Sequence, residues 1–328
     1  MIYFENSQSS NPYVNLAIEE FMLRHIHSNR PIFHIYVNEP SVIVGRNQNV
    51  FEEIDFNYVR KQAIPVLRRL SGGGTVYHDP GNINFSLISP DQNLLNDYAS
   101  FTKPLIRAMR NLGLTAELRN RSSIFISGKK VSGNAQYATK GRLLSHGTLL
   151  LNTDLAQLRS ALKPRHQQIS SRAVQSIRSS VANLSDFLDE EIALDTLKDQ
   201  VRREFLGSIP AEEFELSEED WEVVRQIEYE RYHSWEWTIG QSPKFSTVRR
   251  IQTAQGEVIL DILVEKGTIQ SIQSLGSPVK FNRTINRLSK CLTGVRYDSQ
   301  DITLALQISG IELNSLGISE NQLISLIF

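Results

Sequence analysis

The chain predicts an α+β protein of two domains, on three observations. Short β-rich runs and amphipathic helical stretches are interspersed without a strict βαβ rhythm, which favours α+β over a doubly wound sheet. A length of 328 residues is more than one hydrophobic core usually serves. Turn formers gather at Gly240-Gln241-Ser242-Pro243-Lys244, just after the aromatic pair Trp235 and Trp237, and place a boundary between a larger domain, 1–244, and a small α+β domain, 245–328.

The elements follow in order. Asn11-Pro12 is a polar-proline start signal, and Leu16 and Phe21 lie on one helical stripe, so a core-facing helix begins there. Residues 31–37 and 41–45 are β-rich runs separated by Asn38-Glu39-Pro40 and read as a hairpin feeding the sheet. Residues 75–78 and 82–88 alternate as strands around a Pro80-Gly81 turn. A helix is expected over 101–112, ending at Gly113, with further strands at 124–126 and 147–151. Residues 186–205 and 216–231 alternate acidic and apolar groups as exposed helices do. Beyond the boundary, 257–264 and 268–272 flank Lys266-Gly267 as a hairpin, followed by helices over 283–292 and 299–306.

Composition narrows the function. A formal net charge of −1, with 40% hydrophobic and 22% charged residues, offers no electrostatic case for general binding of nucleic acid or membrane. Anion selectivity must therefore be local. The single cysteine, Cys291, excludes an intrachain disulfide framework and any multi-cysteine metal site. With no signal-peptide pattern at Met1-Ile2-Tyr3-Phe4 and no run near the roughly 20 apolar residues that span a bilayer, the expectation is a cytoplasmic monomer.

Two segments carry the chemistry. Arg68-Arg69-Leu70-Ser71-Gly72-Gly73-Gly74-Thr75-Val76-Tyr77-His78-Asp79-Pro80-Gly81-Asn82 combines permanent cations, bare backbone and a His-Asp pair. Consecutive glycines let N–H groups approach an anion without Cβ interference, and arginine supplies planar donor forks. The loop has neither the spacing of a P-loop nor that of a dinucleotide turn. The second segment, Ser127-Gly128-Lys129-Lys130-Val131-Ser132-Gly133-Asn134-Ala135-Gln136, lies between two expected strands and offers a mobile ammonium beside small residues. Downstream, His146-Gly147-Thr148-Leu149-Leu150 opens a strand with a histidine.

These three motifs, in this order and spacing, resemble lipoate-protein ligases. The similarity extends to Gly45-Arg46-Asn47-Gln48-Asn49, to residues 176–184 and to the small C-terminal domain. It implies a mixed-sheet, class II synthetase-like catalytic domain of the biotin/lipoate-transferase fold with an accessory domain. The implied activity has two steps: lipoate and MgATP form lipoyl-AMP and pyrophosphate, then the lipoyl group passes to a lysine of a 2-oxoacid dehydrogenase lipoyl domain or a glycine-cleavage H-type protein. By resemblance Lys130 is catalytic, bridging carboxylate and phosphate oxygens. Arg69, Gly73 and Gly74 would fix the carboxylate or α-phosphate, and His78 and Asn82 the nucleotide or acyl group. Arg46, Arg68, Ser71, Gly72, Val76, Tyr77, Gly133 and Ala135 complete the substrate- and ATP-binding set. His146 shapes the acyl pocket or is a hydrogen-bonded core histidine, and Tyr36 supplies a wall of that pocket or is core. Residues 163–183, with Ser170, Ser171 and Arg172, would cover the adenylate.

The chain departs from the family at Asn120-Arg121-Ser122-Ser123-Ile124, where an aspartate is usual and Ser123 stands instead. Serine is a weaker ligand for a hard cation, which predicts slower activation and leaves the Mg²⁺ ligands unassigned. One alternative is an amidotransferase that moves lipoyl or octanoyl groups between carriers without ATP, although Cys291 lies far from both anion loops. A catalytically inert lipoate or nucleotide sensor is another; biotin ligase lacks support because no Gly-Arg-Gly-Arg loop is present.

Overall fold

The computed structural model describes residues 1–6, 9–163, 169–177, 179–207 and 212–328. Arg178 and residues 164–168 of the expected covering segment lie outside the described residues. The chain divides into two compact units, the first comprising 1–46, 53–163 and 176–234, the second 47–52, 164–175 and 235–328.

The first unit is built on an eight-stranded mixed sheet. Its strands are β1 (Ile2–Glu5), β2 (Ile32–Val37), β6 (Asn82–Ser89), β7 (Ala116–Arg119), β8 (Ser123–Ile126), β9 (Lys129–Thr139) and β10 (Arg142–Leu150), with β3 (Ser41–Val44), β4 (Val66–Arg68) and β5 (Val76–His78) forming a separate small sheet. The large sheet runs Glu212–Glu213, β1, β2, β6, β10, β9, β8, β7, and the small one β4, β3, β5. Side chains alternate across a strand, and the register makes the two faces of the large sheet chemically different. On one face Phe33, Ile35, Ile83, Phe85 and Leu149 join Phe101, Leu105 and Met109 of helix α2 (Tyr98–Asn111) and Leu197, Val201 and Phe205 of α3 (Leu194–Leu206) in one core. The rings of Phe33 and Phe205 stack 4.4 Å apart at its centre. On the other face His34, Ser86, His146 and Ala135 form a cross-strand row, with Tyr36, Asn84 and Thr148 in the next.

Helix α1 (Pro12–Arg24) starts where expected: the Asn11 side chain accepts from Tyr13 N, and Pro12 sits at the first turn, where its missing N–H costs nothing. The expected hairpin over 31–45 does not form. β2 joins the large sheet while β3 joins the small one, pairing parallel with β4 and antiparallel with β5. Asn38 turns the chain out of the first sheet: its Oδ1 accepts from Asn15 Nδ2 at 2.8 Å and its Nδ2 donates to His78 Nδ1 at 2.9 Å. Residues 186–205 are not one exposed helix either. A 3-10 turn spans Leu184–Phe187, and α3, which begins only at Leu194, carries its apolar stripe into the core.

In the second unit, Ile169–Ser171, β11 (Phe245–Thr253), β12 (Gly256–Glu265) and β13 (Thr268–Ser274) form an antiparallel sheet in that order. The expected hairpin at Lys266-Gly267 is present, both residues having positive φ, +51° and +69°. Residues 169–171 are thus a strand of this unit rather than part of a free covering loop. Helices α4 (Asn282–Leu292) and α5 (Ser299–Ser309) follow. No helix of the described residues is long and apolar enough to cross a membrane.

Phe205→Ala removes the ring that spans β2 and α2, and should lower unfolding free energy by about 3–5 kcal/mol; urea denaturation of the variant checks it.

Candidate active site

The Gly-rich segment joins β4 to β5, the outer strands of the small sheet, and so crosses the C-terminal end of β3. It is curled around one guanidinium. Arg69 Nε donates to Ser71 Oγ at 3.0 Å, Nη1 to Ile43 O at 3.0 Å, and Nη2 to Gly72 O and Gly74 O at 2.6 and 2.7 Å. Arg68 donates to the carbonyls of Gly45 and Arg46. Burial pushes both arginines down to about 10, Arg68 further so by the charge of Arg69. The two cations therefore organise backbone first. Gly73 has φ +88°, and a Cβ there would lie 3.1 Å from Arg69 Nη2, so only glycine lets the loop close on the guanidinium.

Ser71, with none of its surface exposed, continues the chain of hydrogen bonds. Its Oγ lies 2.6 Å from His146 Nε2, His146 Nδ1 lies 2.9 Å from Glu19 Oε2, and Tyr36 Oη donates to Glu19 Oε1 at 3.1 Å. The two ring nitrogens of His146 thus bridge the Ser71 hydroxyl and the Glu19 carboxylate, with Nδ1–H directed at the carboxylate. A continuous chain results: Arg69 to Ser71 to His146 to Glu19. Burial alone would raise the Glu19 carboxyl, but the charge and hydrogen bond of His146, with His34 and Tyr36, hold it below the usual range. The Tyr36 phenol is pushed well up, by burial first and then by Glu19.

Sequence reasoning missed Glu19. The signal was there: Leu16, Glu19, Glu20 and Leu23 have apolar-stripe spacing, so two carboxylates in the middle of that stripe had to be buried. Glu20 is held by Arg24 Nε at 2.7 Å and Arg231 Nε at 2.8 Å.

Lys130 is aimed by an irregularity. Ser127 and Gly128, at φ +48° and +76°, form a two-residue turn of the type that closes hairpins. The segment after it is strand β9, not a loop. Phe125 pairs with Lys130 while Ile124 pairs with Ser132, so Val131 is an extra, bulged residue. Regular alternation would put Lys130 and Gly133 on opposite faces; the bulge brings them together, and a Cβ on Gly133 would lie 3.0 Å from Lys130 Nζ. The backbone of Lys130 is pinned by Ser180 O and Ala182 N at 2.8 and 3.0 Å. Burial and then the charge of Arg69 lower the Lys130 ammonium. No carboxylate among the described residues pairs with it.

One patch therefore gathers Arg69, Gly73, Lys130, Gly133, Ala135 and His146: Gly73 lies against the Ala135 methyl, 3.9 Å from its own would-be Cβ, and Ala135 pairs with His146. Ser123 pairs with Gly133. Exposed Arg46 stacks over Tyr137 at 5.4 Å. Burial drives His78 down to about 3, helped by the charges of Arg69 and His146. It is neutral, accepts Asn38 at Nδ1 and keeps a buried Nε2 without a partner; Asn82 Oδ1 is also unpartnered. Val76 and Tyr77 pair with Ile43 and Val42 in the small sheet. Asp79 is not the partner of His78; it accepts from Gly81 N and Asp154 N. Ser176, within the expected covering segment, meets the loop: its Oγ accepts from Thr75 N at 2.9 Å and donates to Glu53. Among the described residues no three His, Cys, Asp or Glu side chains gather as a metal site.

The chain matches the family profile of the lipoyl protein ligase A/B catalytic domain over residues 11–206 and that of the bacterial lipoate protein ligase C-terminus over 242–327. It is 40% identical over 313 residues to lipoate-protein ligase LplJ of Bacillus subtilis, covering 94% of each chain. Similar solved structures include lipoate-protein ligase A bound with ATP (TM-score 0.62, 28% identity, 73% of this chain and 98% of that one). Another is the bi-partite lipoate protein ligase of Thermoplasma acidophilum, reported with its E2 lipoyl domain (TM-score 0.64, 27% identity, 73% and 96%). The fold is that of the lipoyl-ligase catalytic class, and the chain belongs to the lipoate-protein ligase family.

Glu19→Gln should destabilise the protein by about 1–3 kcal/mol at neutral pH, because His146 loses a charged partner inside the fold. The sign with pH follows from the lowered carboxyl: the ionised form contributes fully above the unfolded value near 4.3 and the contribution is lost as pH falls through the folded one. Denaturation at pH 7 and pH 3 should show the difference between wild type and variant shrinking in acid.

Proposed function

We propose that the patch of Gly73, Gly133, Ala135 and Lys130 is where the lipoate carboxylate meets the α-phosphate of ATP. As a lipoate-protein ligase the chain couples lipoate to ATP and passes the lipoyl group to a protein. In the first step a carboxylate oxygen attacks the α-phosphorus and pyrophosphate leaves; in the second, a lysine amine attacks the acyl carbonyl and AMP leaves. The obstacle to the first step is mutual repulsion of two anions. The observation that carries this reading is the unpaired, half-buried Lys130 ammonium held over bare backbone beside Arg69. An arriving anion relieves both its desolvation and its repulsion from Arg69. His78 Nε2 and Asn82 Oδ1, buried without partners, are the polar atoms left for ligand, and the Tyr36–Glu19–His146 cluster supports the loop from beneath. Among the described residues no carboxylate cluster collects near the patch, and in this reading Mg²⁺ arrives on the nucleotide phosphates as part of the substrate.

Membership of a ligase family whose relatives include an ATP-bound structure favours ATP activation over carrier-to-carrier transfer. Cys291, in the second unit, is half-buried with its Sγ on Ala305 O and offers no thioester route. The acceptors in this reading are apo-lipoyl domains or glycine-cleavage H-type proteins, met in the cytoplasm by a monomer.

The test is lipoate-dependent ATP–pyrophosphate exchange. Lys130→Ala should lower it by about 100-fold or more while the melting temperature stays close to wild type; exchange at wild-type rate would sink the assignment. Ser123→Asp should speed exchange and lower its Mg²⁺ requirement, and unchanged values would remove Ser123 from metal handling.

A further inference from the structure

Helix α4 of the second unit carries a row of cations that no described residue pairs with. Its apolar residues Ile285, Leu288 and Leu292 are buried, while Arg283, Arg287 and Lys290 are exposed. At 100° per residue the three cations fall within about 60° of one another on the outward face. The helix contains no Asp or Glu. Among the described residues none of the three cations has an ion-pair or hydrogen-bond partner.

Local physics does not favour this arrangement. Like charges three and four residues apart repel, and Arg283 in the first turn opposes the helix dipole. The first turn has neither an acidic residue nor a side-chain cap. A face that is merely solvated usually mixes signs, and α3 of the same chain does so: Lys198 pairs with Asp195 at 3.5 Å and Arg202 with Asp199 at 2.8 Å. The neighbouring α5, packed on α4, also exposes Leu304 and Ile308, one turn apart.

We propose that the Arg283–Arg287–Lys290 stripe is a docking surface for an acidic protein surface, that of the acceptor on which the lysine is modified. The proposal rests on the ligase reading above. Three charges on one helix face complement a patch of carboxylates and speed encounter, and tethering the acceptor to the second unit raises its concentration at the first. A nucleic acid fits less well, because the chain as a whole carries a net charge of −1 and a polyanion responds to the summed charge.

The experiment compares wild type with the triple variants R283Q/R287Q/K290Q and R283E/R287E/K290E. Two activity assays are run, ATP–pyrophosphate exchange, which needs no acceptor, and transfer to an apo-lipoyl domain across a range of salt, with duplex DNA binding measured beside them. Exchange should stay within about twofold of wild type, while acceptor KM rises about tenfold for the glutamine variant and more for the glutamate one, with kcat kept and the salt dependence flattened. Unchanged acceptor KM in both variants overturns the proposal, as does equal loss in both assays, which would mark the stripe as structural. Loss of duplex DNA binding with unchanged acceptor KM would assign the stripe to nucleic acid and overturn it too. A wild type inactive in exchange overturns the ligase reading itself, and the docking proposal with it.

Discussion

The guanidinium of Arg69 is the part on which the site depends. A triple-glycine loop has no side chains with which to hold its own shape, and its backbone entropy is the highest available. Arg69 supplies the missing constraint by binding carbonyls on both sides of the turn, Gly72 and Gly74, and the strand beneath at Ile43. Its remaining orientation comes through Ser71 and His146 from Glu19, a residue on the first helix. A buried charge is tolerable only when it is paired and hydrogen-bonded. Here a cation and a carboxylate, far apart in sequence, are joined through a serine and a histidine.

That chain exists because the large sheet has two different faces. Phe33, Phe85 and Phe205 make one face an apolar core. The opposite face places His34, Tyr36, Asn84, Ser86 and His146 indoors, several with polar atoms unpartnered. Such groups cost stability, and proteins tend to break packing rules where they have chemistry to do. The apolar face carries that cost, and the polar face receives the loop.

Lys130 illustrates how little displacement chemistry requires. One extra residue in β9, Val131, changes the parity of the strand, and the ammonium moves from the face of Ser132 to that of Gly133. The second unit follows a different electrostatic logic, with its charge displayed outward on α4.

The α+β class, the helix opening at Asn11-Pro12, most strands and the turn at Lys266-Gly267 were legible in the amino-acid sequence, because each depends on neighbours in the chain: caps, period-two alternation and residues that accept positive φ. So were the Gly-rich and lysine motifs. Partners distant in the chain were not. Nothing local says that β2 and β3 belong to different sheets, that Arg69 faces its own loop, that Asp79 turns to Asp154 while His78 takes Asn38, or that Glu19 ends a chain begun at Arg69. Sequence alone determined which elements form and which residue types are available for chemistry. Tertiary structure decided which of them meet, because hydrogen-bond direction, strand parity and burial are set only when segments far apart in the chain come together.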